Sequence, residues 1–227
     1  MSARDAVLGR IKAKIAGSNS PARRAAVANR LSGSPSGIIP KRGQLDRAGR
    51  VDLFCEKSRS VAATVTQVGS YAEVAEEVAT YLRERNLPQA VRSGSDSRLE
   101  ACGWENTPQM QRDHGPADKA DETGLSHAFG GVAETGTVLM TSGADNPTSV
   151  NFLPENHIIV VNADDIAGDY ESVLGNIRHT YGQGSMPRTV NMITGPSRSG
   201  DIEQTILLGA HGPRSVHVIV VDEQQVD

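Results

Sequence analysis

The sequence predicts an α/β domain on a mostly parallel sheet, preceded by a helical arm. Three observations predict it. The runs His157-Ile158-Ile159-Val160-Val161-Asn162 and Val216-His217-Val218-Ile219-Val220-Val221 are apolar and continuous rather than alternating. Strands buried on both faces, between helix layers, read this way. Helix-spaced segments alternate with the strands, as in doubly wound folds. Charge also divides the 227-residue chain: residues 1–50 hold eleven Lys/Arg and two Asp, net +9, while the rest carries 12 basic and 25 acidic residues, net −13.

In chain order, residues 4–16 predict an amphipathic helix from the spacing of Val7, Leu8, Ile11 and Ile15. Residues 22–31 have high helix propensity, and Pro21 sits where its missing N–H is harmless. Gly33, Pro35, Gly37 and Pro40 make 32–44 a linker, giving an arm over 1–45 and a domain over 46–227. Residues 61–68 predict a strand. The next helix is opened by a capping box, Ser70 with Glu73, carries a stripe of Tyr71, Val74, Ala75, Val78 and Leu82, and ends at Leu87-Pro88. A short strand falls at 90–93. Residues 103–127 are polar and weakly patterned. Strands follow at 137–142, 157–162, 189–193 and 216–221. Ile166, Tyr170, Val173, Leu174, Ile177 and Tyr181 keep helical spacing before Gly182, and a helix near 200–208 precedes the last strand.

No stretch reaches the ~18–20 apolar residues of a membrane span. Cys55 and Cys102 form no C-x-x-C and are too few for a cysteine-ligated zinc or iron–sulfur site. A reducing compartment, the cytoplasm, is the expectation, with no cofactor or metal in this chain. The arm has no continuous apolar core for secretion, and Asp5 fits a transit peptide poorly.

Three loops concentrate chemistry. The segment Thr194-Gly195-Pro196-Ser197-Arg198-Ser199-Gly200-Asp201 follows a strand and opens the expected helix, an arrangement that receives anions at free N–H groups, with Arg198 as a fork donor. Ordinary capping by Ser197 or Ser199 accounts for it equally well. It is neither a Walker A loop nor G-x-G-x-x-G. Ala133-Glu134-Thr135-Gly136-Thr137 surrounds one carboxylate with small and hydroxylated residues; Glu134 is the candidate base or nucleophile, against a simple capped turn. In Gly209-Ala210-His211-Gly212-Pro213-Arg214-Ser215, His211 is a candidate proton carrier and Arg214 a candidate anion partner, against a loop histidine and a surface arginine. Asp113, His114, Asp118, Asp121, Glu122 and His127 concentrate acids and histidines without H-x-x-x-H or H-E-x-x-H spacing, so no metal site is expected. No G-x-S-x-G marks a serine triad.

Together with Asn151-Phe152-Leu153-Pro154 and Ile193–Thr205, these segments resemble the LUD-domain family over roughly residues 50–222. The resemblance implies a three-layer α/β/α sandwich like that of sugar-phosphate isomerases and CoA transferases. It implies a part in oxidising L-lactate to pyruvate beside two partner proteins, at least one carrying iron–sulfur clusters. Longer members add cysteine-rich segments that this chain lacks, so electrons would pass through partners. The arm lies outside the shared pattern, and His127–Gly131 is more glycine-rich than that pattern.

Three readings follow. In the first, Glu134 does proton or acyl chemistry in one cleft with Thr135, Gly136, Thr137, Gly195, Ser197, Arg198, Ser199, His211 and Arg214 around a small anionic ligand. In the second, the same cleft binds an anion without turnover and the chain assembles or regulates a complex. In the third, the basic arm binds nucleic acid, although three Phe, four Tyr and one Trp offer no stacking platform.

Overall fold

A computed structural model describes residues 2–16, 20–33, 37–182, 184–200 and 207–223. Contacts divide the chain into two units, residues 1–38 and 39–227. The first holds α1 (Ala3–Ala16) and α2 (Pro21–Gly33). A reciprocal cap opens α1: the Ser2 hydroxyl accepts from the Asp5 N–H at 3.2 Å, and the Asp5 carboxylate accepts from the Ser2 hydroxyl at 2.8 Å. Ser20 caps α2 by accepting from the Arg23 N–H. Neither helix builds a core of its own.

The second unit runs α3 (Arg47–Ser60), β1 (Thr64–Val68), α4 (Val74–Glu84), β2 (Ala90–Ser93), α5 (Ser97–Glu100), β3 (Gln111–His114), β4 (Thr123–His127), β5 (Gly130–Val132), β6 (Thr137–Thr141), β7 (Asn156–Asn162), β8 (Ile166–Ala167), α6 (Tyr170–Tyr181), β9 (Val190–Ile193), β10 (Arg198–Ser199), β11 (Leu207–Leu208) and β12 (Ser215–Val221). Its main sheet has six strands, all parallel, in the order β1-β12-β7-β4-β2-β3.

The continuous apolar runs behave as strands buried on both faces. In β7, Ile158 and Val160 join Val74, Val78 and Leu82 of α4, while Ile159 and Val161 join Val51 and Phe54 of α3. β12 divides likewise, with Ile219 and Val221 facing α4 and Val218 and Val220 facing α3. Alternate residues supply two different cores, so no polar position interrupts the run. The start of α4 tightens into a 3₁₀ turn at Tyr71–Glu73. Glu73 accepts there from the Ser70 hydroxyl and the Gly69 N–H, a variant of the expected capping box.

Three expectations are corrected. The strands at 137–142 and 189–193 leave the parallel sheet for a second one, ordered β8-β5-β6-β9, in which β6 pairs antiparallel with β5 and β9. Its Val138 and Met140 face the α3 core and its Val132 and Leu139 face α6, so its apolar pattern matches that of a parallel strand. Ile166 belongs to β8 rather than to a helix. The helix near 200–208 ends differently: Leu207 and Leu208 form β11, antiparallel to Arg198 and Ser199, and residues 201–206 lie outside the described residues. The weakly patterned 103–127 segment also contains β3 and β4, and every residue of β4 is buried.

The chain passes from β2 outward to β3 and returns to β4 on the other side of β2. Crossovers therefore diverge between the carboxyl ends of β2 and β4, which is where ligands bind in open α/β sheets.

Candidate functional sites at the two ends of the main sheet

The predicted site residues divide between two places. The first is the turn joining β5 to β6. Gly136 holds φ +67°, and a Cβ there would lie 2.3 Å from the Ser58 amide nitrogen, so only glycine lets the turn press on the end of α3. The Ser58 hydroxyl donates to the Gly136 carbonyl at 3.2 Å. Glu134 is buried, and its carboxylate accepts from Arg42 Nε at 3.1 Å. Its own N–H donates to the Gly168 carbonyl. Thr135, Thr137 and Tyr170 share a hydroxyl cluster with contacts of 2.7–3.1 Å, and Thr137 passes it on to Thr194 Oγ1 at 2.8 Å.

The second place is a cavity of about 290 Å³ near the amino ends of β7 and β12. Gly195, Ser197, Arg198 and His211 line it, with Thr194 at its edge and Phe152 and Val216 supplying apolar wall. None of its lining residues is Asp or Glu. Gly195 holds φ +76° against the Val61 carbonyl, and Arg198 Nη2 donates to that same carbonyl.

Glu134, Thr135, Gly136 and Thr137 are therefore not in the lining that holds Arg198; the Thr137–Thr194 contact and the pairing of Val138 with Ile193 link the two groups. Arg198 and Ser199 sit in a β-ribbon, and the helix start expected to supply free N–H groups after them lies outside the described residues. The Ser197 N–H donates to the Pro213 carbonyl and the Gly209 N–H to the Ser197 carbonyl. Ser199 pairs with Leu207 and Arg214 reaches Glu155 at 3.8 Å; neither lines the cavity.

Sequence reasoning missed Arg42 and a polar cluster at the carboxyl ends of the main sheet. His127 ends β4 and is buried. Its Nδ1 lies 2.8 Å from the Ala128 carbonyl, which only accepts, so Nδ1 carries the proton and Nε2 accepts from the Tyr71 hydroxyl at 2.8 Å. Burial first, then the Arg98 charge, pushes the His127 pKa down to about 4, so the ring is neutral at pH 7. Burial raises the Tyr71 pKa. Asp96 follows β2 and grips Arg98 through both carboxylate oxygens, at 3.0 and 2.7 Å. Burial works to raise the Asp96 pKa, but the Arg98 hydrogen bonds outweigh it and the net shift is downward. Gly94 makes the loop possible, since a Cβ there would sit 1.7 Å from the Asp145 carbonyl oxygen. His127 was visible in the sequence only as one member of an acid/histidine group; its place at the switch point comes from strand order.

Among the described residues no group of three or more His, Cys, Asp or Glu side chains is placed to hold a metal, and no helix is long and apolar enough to cross a membrane. Cys55 and Cys102 are both free and buried in different cores.

Among curated proteins, the chain is similar to lactate utilization protein C of Shouchella clausii, 33% identical over 121 residues that cover 53% of this chain and 52% of that protein. It is 33% identical to the protein of the same name from Bacillus subtilis over 52% of each chain. The chain thus spans about half the length of these curated relatives. A protein of Escherichia coli, uncharacterized protein YkgG, is 29% identical over 79% of this chain and 83% of its own. Among solved structures, a DUF162 family protein from Deinococcus radiodurans superposes with a TM-score of 0.57 at 23% identity, covering 78% of this chain and 99% of that one, a likeness of fold. The family model described as LUD domain matches residues 51–221, so this chain belongs to the LUD-domain family.

Proposed function

We propose that this chain is a component of a lactate-utilization system and holds a small carboxylate in the Arg198 cavity. Its family and the names of its relatives support the pathway. The observation that carries the ligand class is the charge of that cavity: residues 51–227, with a net charge of −13, present there Arg198, His211 and the Ser197 hydroxyl with no acidic side chain among the lining residues. A guanidinium with a free edge pairs a carboxylate through two parallel N–H bonds. Glu134 acts at a remove in this reading, through the Thr137–Thr194 hydroxyl contact. The domain is read as a three-layer sandwich of the sugar-phosphate isomerase and CoA-transferase kind, working in the cytoplasm. Electrons from lactate pass through iron–sulfur partners, and this chain holds no cluster of its own.

The test is titration of the purified chain with L-lactate and pyruvate, beside lactate-dependent dye reduction by the reconstituted lactate-utilization proteins with and without it. Arg198→Gln is expected to weaken binding by about tenfold or more. Undiminished dye reduction without this chain would remove it from the pathway, and unchanged binding in Arg198→Gln would remove the ligand from this cavity.

A further inference from the structure

A second cavity, of about 400 Å³, lies where α3 and α6 begin, and Gly43, Gln44, Arg50, Asp165, Gly168 and Asn176 help line it. Gly43 and Gly168 close its wall by backbone contact: a Cβ on Gly43 would lie 1.9 Å from the Gly168 carbonyl oxygen, and one on Gly168 would lie 2.1 Å from that of Gly43.

Two of its side chains stand out. Arg50 is half-buried in the first turn of α3, and its Nε is buried with no hydrogen-bond partner. No ion pair or side-chain hydrogen bond holds its guanidinium among the described residues. A cation in the first turn also opposes the helix dipole, although the Asp46 carboxylate caps α3 there by accepting from the Gly49 N–H. Asp165 is likewise half-buried, and no hydrogen bond or ion pair engages its carboxyl group among the described residues. The other acids of the cavity are engaged: Asp164 pairs with Arg47, and Asp169 accepts from Gln44 at 2.8 Å and from the Ser172 N–H at 2.9 Å.

A half-buried arginine and a half-buried aspartate thus share one cavity and do not pair with each other. Each group left without a hydrogen bond costs free energy, since a partly buried charge loses water; Asp165 keeps only the attraction of the Arg98 charge, which does not offset its burial. A ligand that offers an acceptor to Arg50 and a donor to Asp165 meets both needs at once. We propose that this cavity binds a small carboxylate bearing a hydrogen-bond donor beside the carboxylate, with the carboxylate on Arg50 and the donor on Asp165. A hydroxyl, as in a 2-hydroxy acid, and an ammonium, as in an α-amino acid, share that chemistry. The site is separate from the Arg198 cavity and does not depend on it.

The experiment is calorimetric titration of the full chain with L-lactate, L-alanine and propionate, which keeps the carboxylate and lacks the donor. L-lactate or L-alanine is expected to bind about tenfold or more tighter than propionate, and which of them does so identifies the donor. Arg50→Gln is expected to weaken all three by about tenfold or more, and Asp165→Asn to reduce the preferred ligand toward the propionate level. The melting temperature of unliganded Arg50→Gln should equal or exceed that of the wild type, because an unmet charge is removed; a purely structural Arg50 would give a lower one. Arg50→Lys, which keeps the charge without the fork, replaces Arg50→Gln if that variant fails to fold, with weakening in the same direction. Equal affinity for all three ligands, absence of binding, or binding unchanged in Arg50→Gln overturns the proposal. Loss of binding in Arg198→Gln alone also overturns it while leaving the lactate-utilization reading intact.

Discussion

The two ends of the main sheet are built by different means. At the carboxyl ends, His127 is the last residue of β4, Asp96 caps α5, and Tyr71 opens the turn before α4, so regular elements fix every donor and acceptor. At the amino ends, the Arg198 cavity is made from a two-residue ribbon and the His211–Pro213 loop, and its charged side chain is exposed. The first end is set by regular elements around the buried His127 and Asp96, and the second is open and loop-made. Chemistry that needs a fixed proton position suits the first, and capture of a diffusing anion suits the second.

Acid is expected to have the largest effect, and it acts at both ends, since His127 closes β4 and His157 stands at the start of β7. His127 and His157, both buried, have folded pKa values pushed down from 6.5 to about 4 and about 3, chiefly by burial. The unfolded chain therefore takes up protons that the folded chain refuses. That stability is fully present above pH 6.5 and is lost as pH falls from there toward 4, at about 3 kcal/mol or more for each ring. Urea unfolding between pH 7 and about 4.5 should show a steep decline, and His127→Gln should reduce its slope by about one proton. A flat profile would show that these rings are not held neutral. Asp96 and Asp169, whose folded pKa values lie below 3.8, add losses only at lower pH, so the two effects separate on the axis.

The next largest effect is expected at the Asp96–Arg98 pair. Asp96→Ala removes the α5 cap and leaves a cation unpaired. A fully buried partner would cost ~3–5 kcal/mol. The Arg98 side chain keeps 42% exposure, and solvent screening lowers the expectation to about 2 kcal/mol, checked by chemical denaturation. Gly94→Ala follows at roughly 1–3 kcal/mol, since the Asp145 backbone must move. Its counterpart at the amino ends, Gly212→Ala, should stay within about 0.5 kcal/mol because its Cβ would meet Ser197 at an ordinary 3.4 Å. Equal costs for the two glycine variants would erase the proposed difference in rigidity.

What the sequence disclosed follows the same division. The strands β7 and β12, and the helices α4 and α6, were legible because apolar spacing reports burial directly. β4 was not: Thr123, Gly124, Ser126 and His127 carry no apolar run, yet the strand lies between β7 and β2 and is buried throughout. Two of its polar side chains are accommodated by partners distant in sequence, Ser126 with Asn151 and His127 with Tyr71, while the buried Thr123 hydroxyl has no partner among the described residues. The Gly/Ser/Arg loops announced themselves by composition, which is why Ser197, Arg198 and His211 could be picked out. Arg42 could not, because its partner Glu134 lies 92 residues away and a linker composition hides the turn that presents it. Pairing across such separations leaves no mark on local spacing.

The smallest expected effect tests whether the amino-end loops carry stability at all. Arg214 and Glu155 approach to 3.8 Å with side chains 66% and 70% exposed. Charges that far apart in water gain little, and ordering two long side chains offsets most of it. Glu155→Ala should therefore change unfolding free energy by less than about 0.5 kcal/mol. The backbone is what matters there: the Glu155 carbonyl accepts from both the Arg214 and Ser215 N–H groups, fastening the start of β12 to the start of β7, and the substitution leaves those bonds in place. A loss above 1 kcal/mol, roughly, would mean that the Arg214 side chain, which packs its stem on Gly209, depends on that ion pair to hold the His211 loop. The amino-end cavity would then be as preorganised as the carboxyl-end cluster, and binding in the Arg198 cavity should weaken in the same variant.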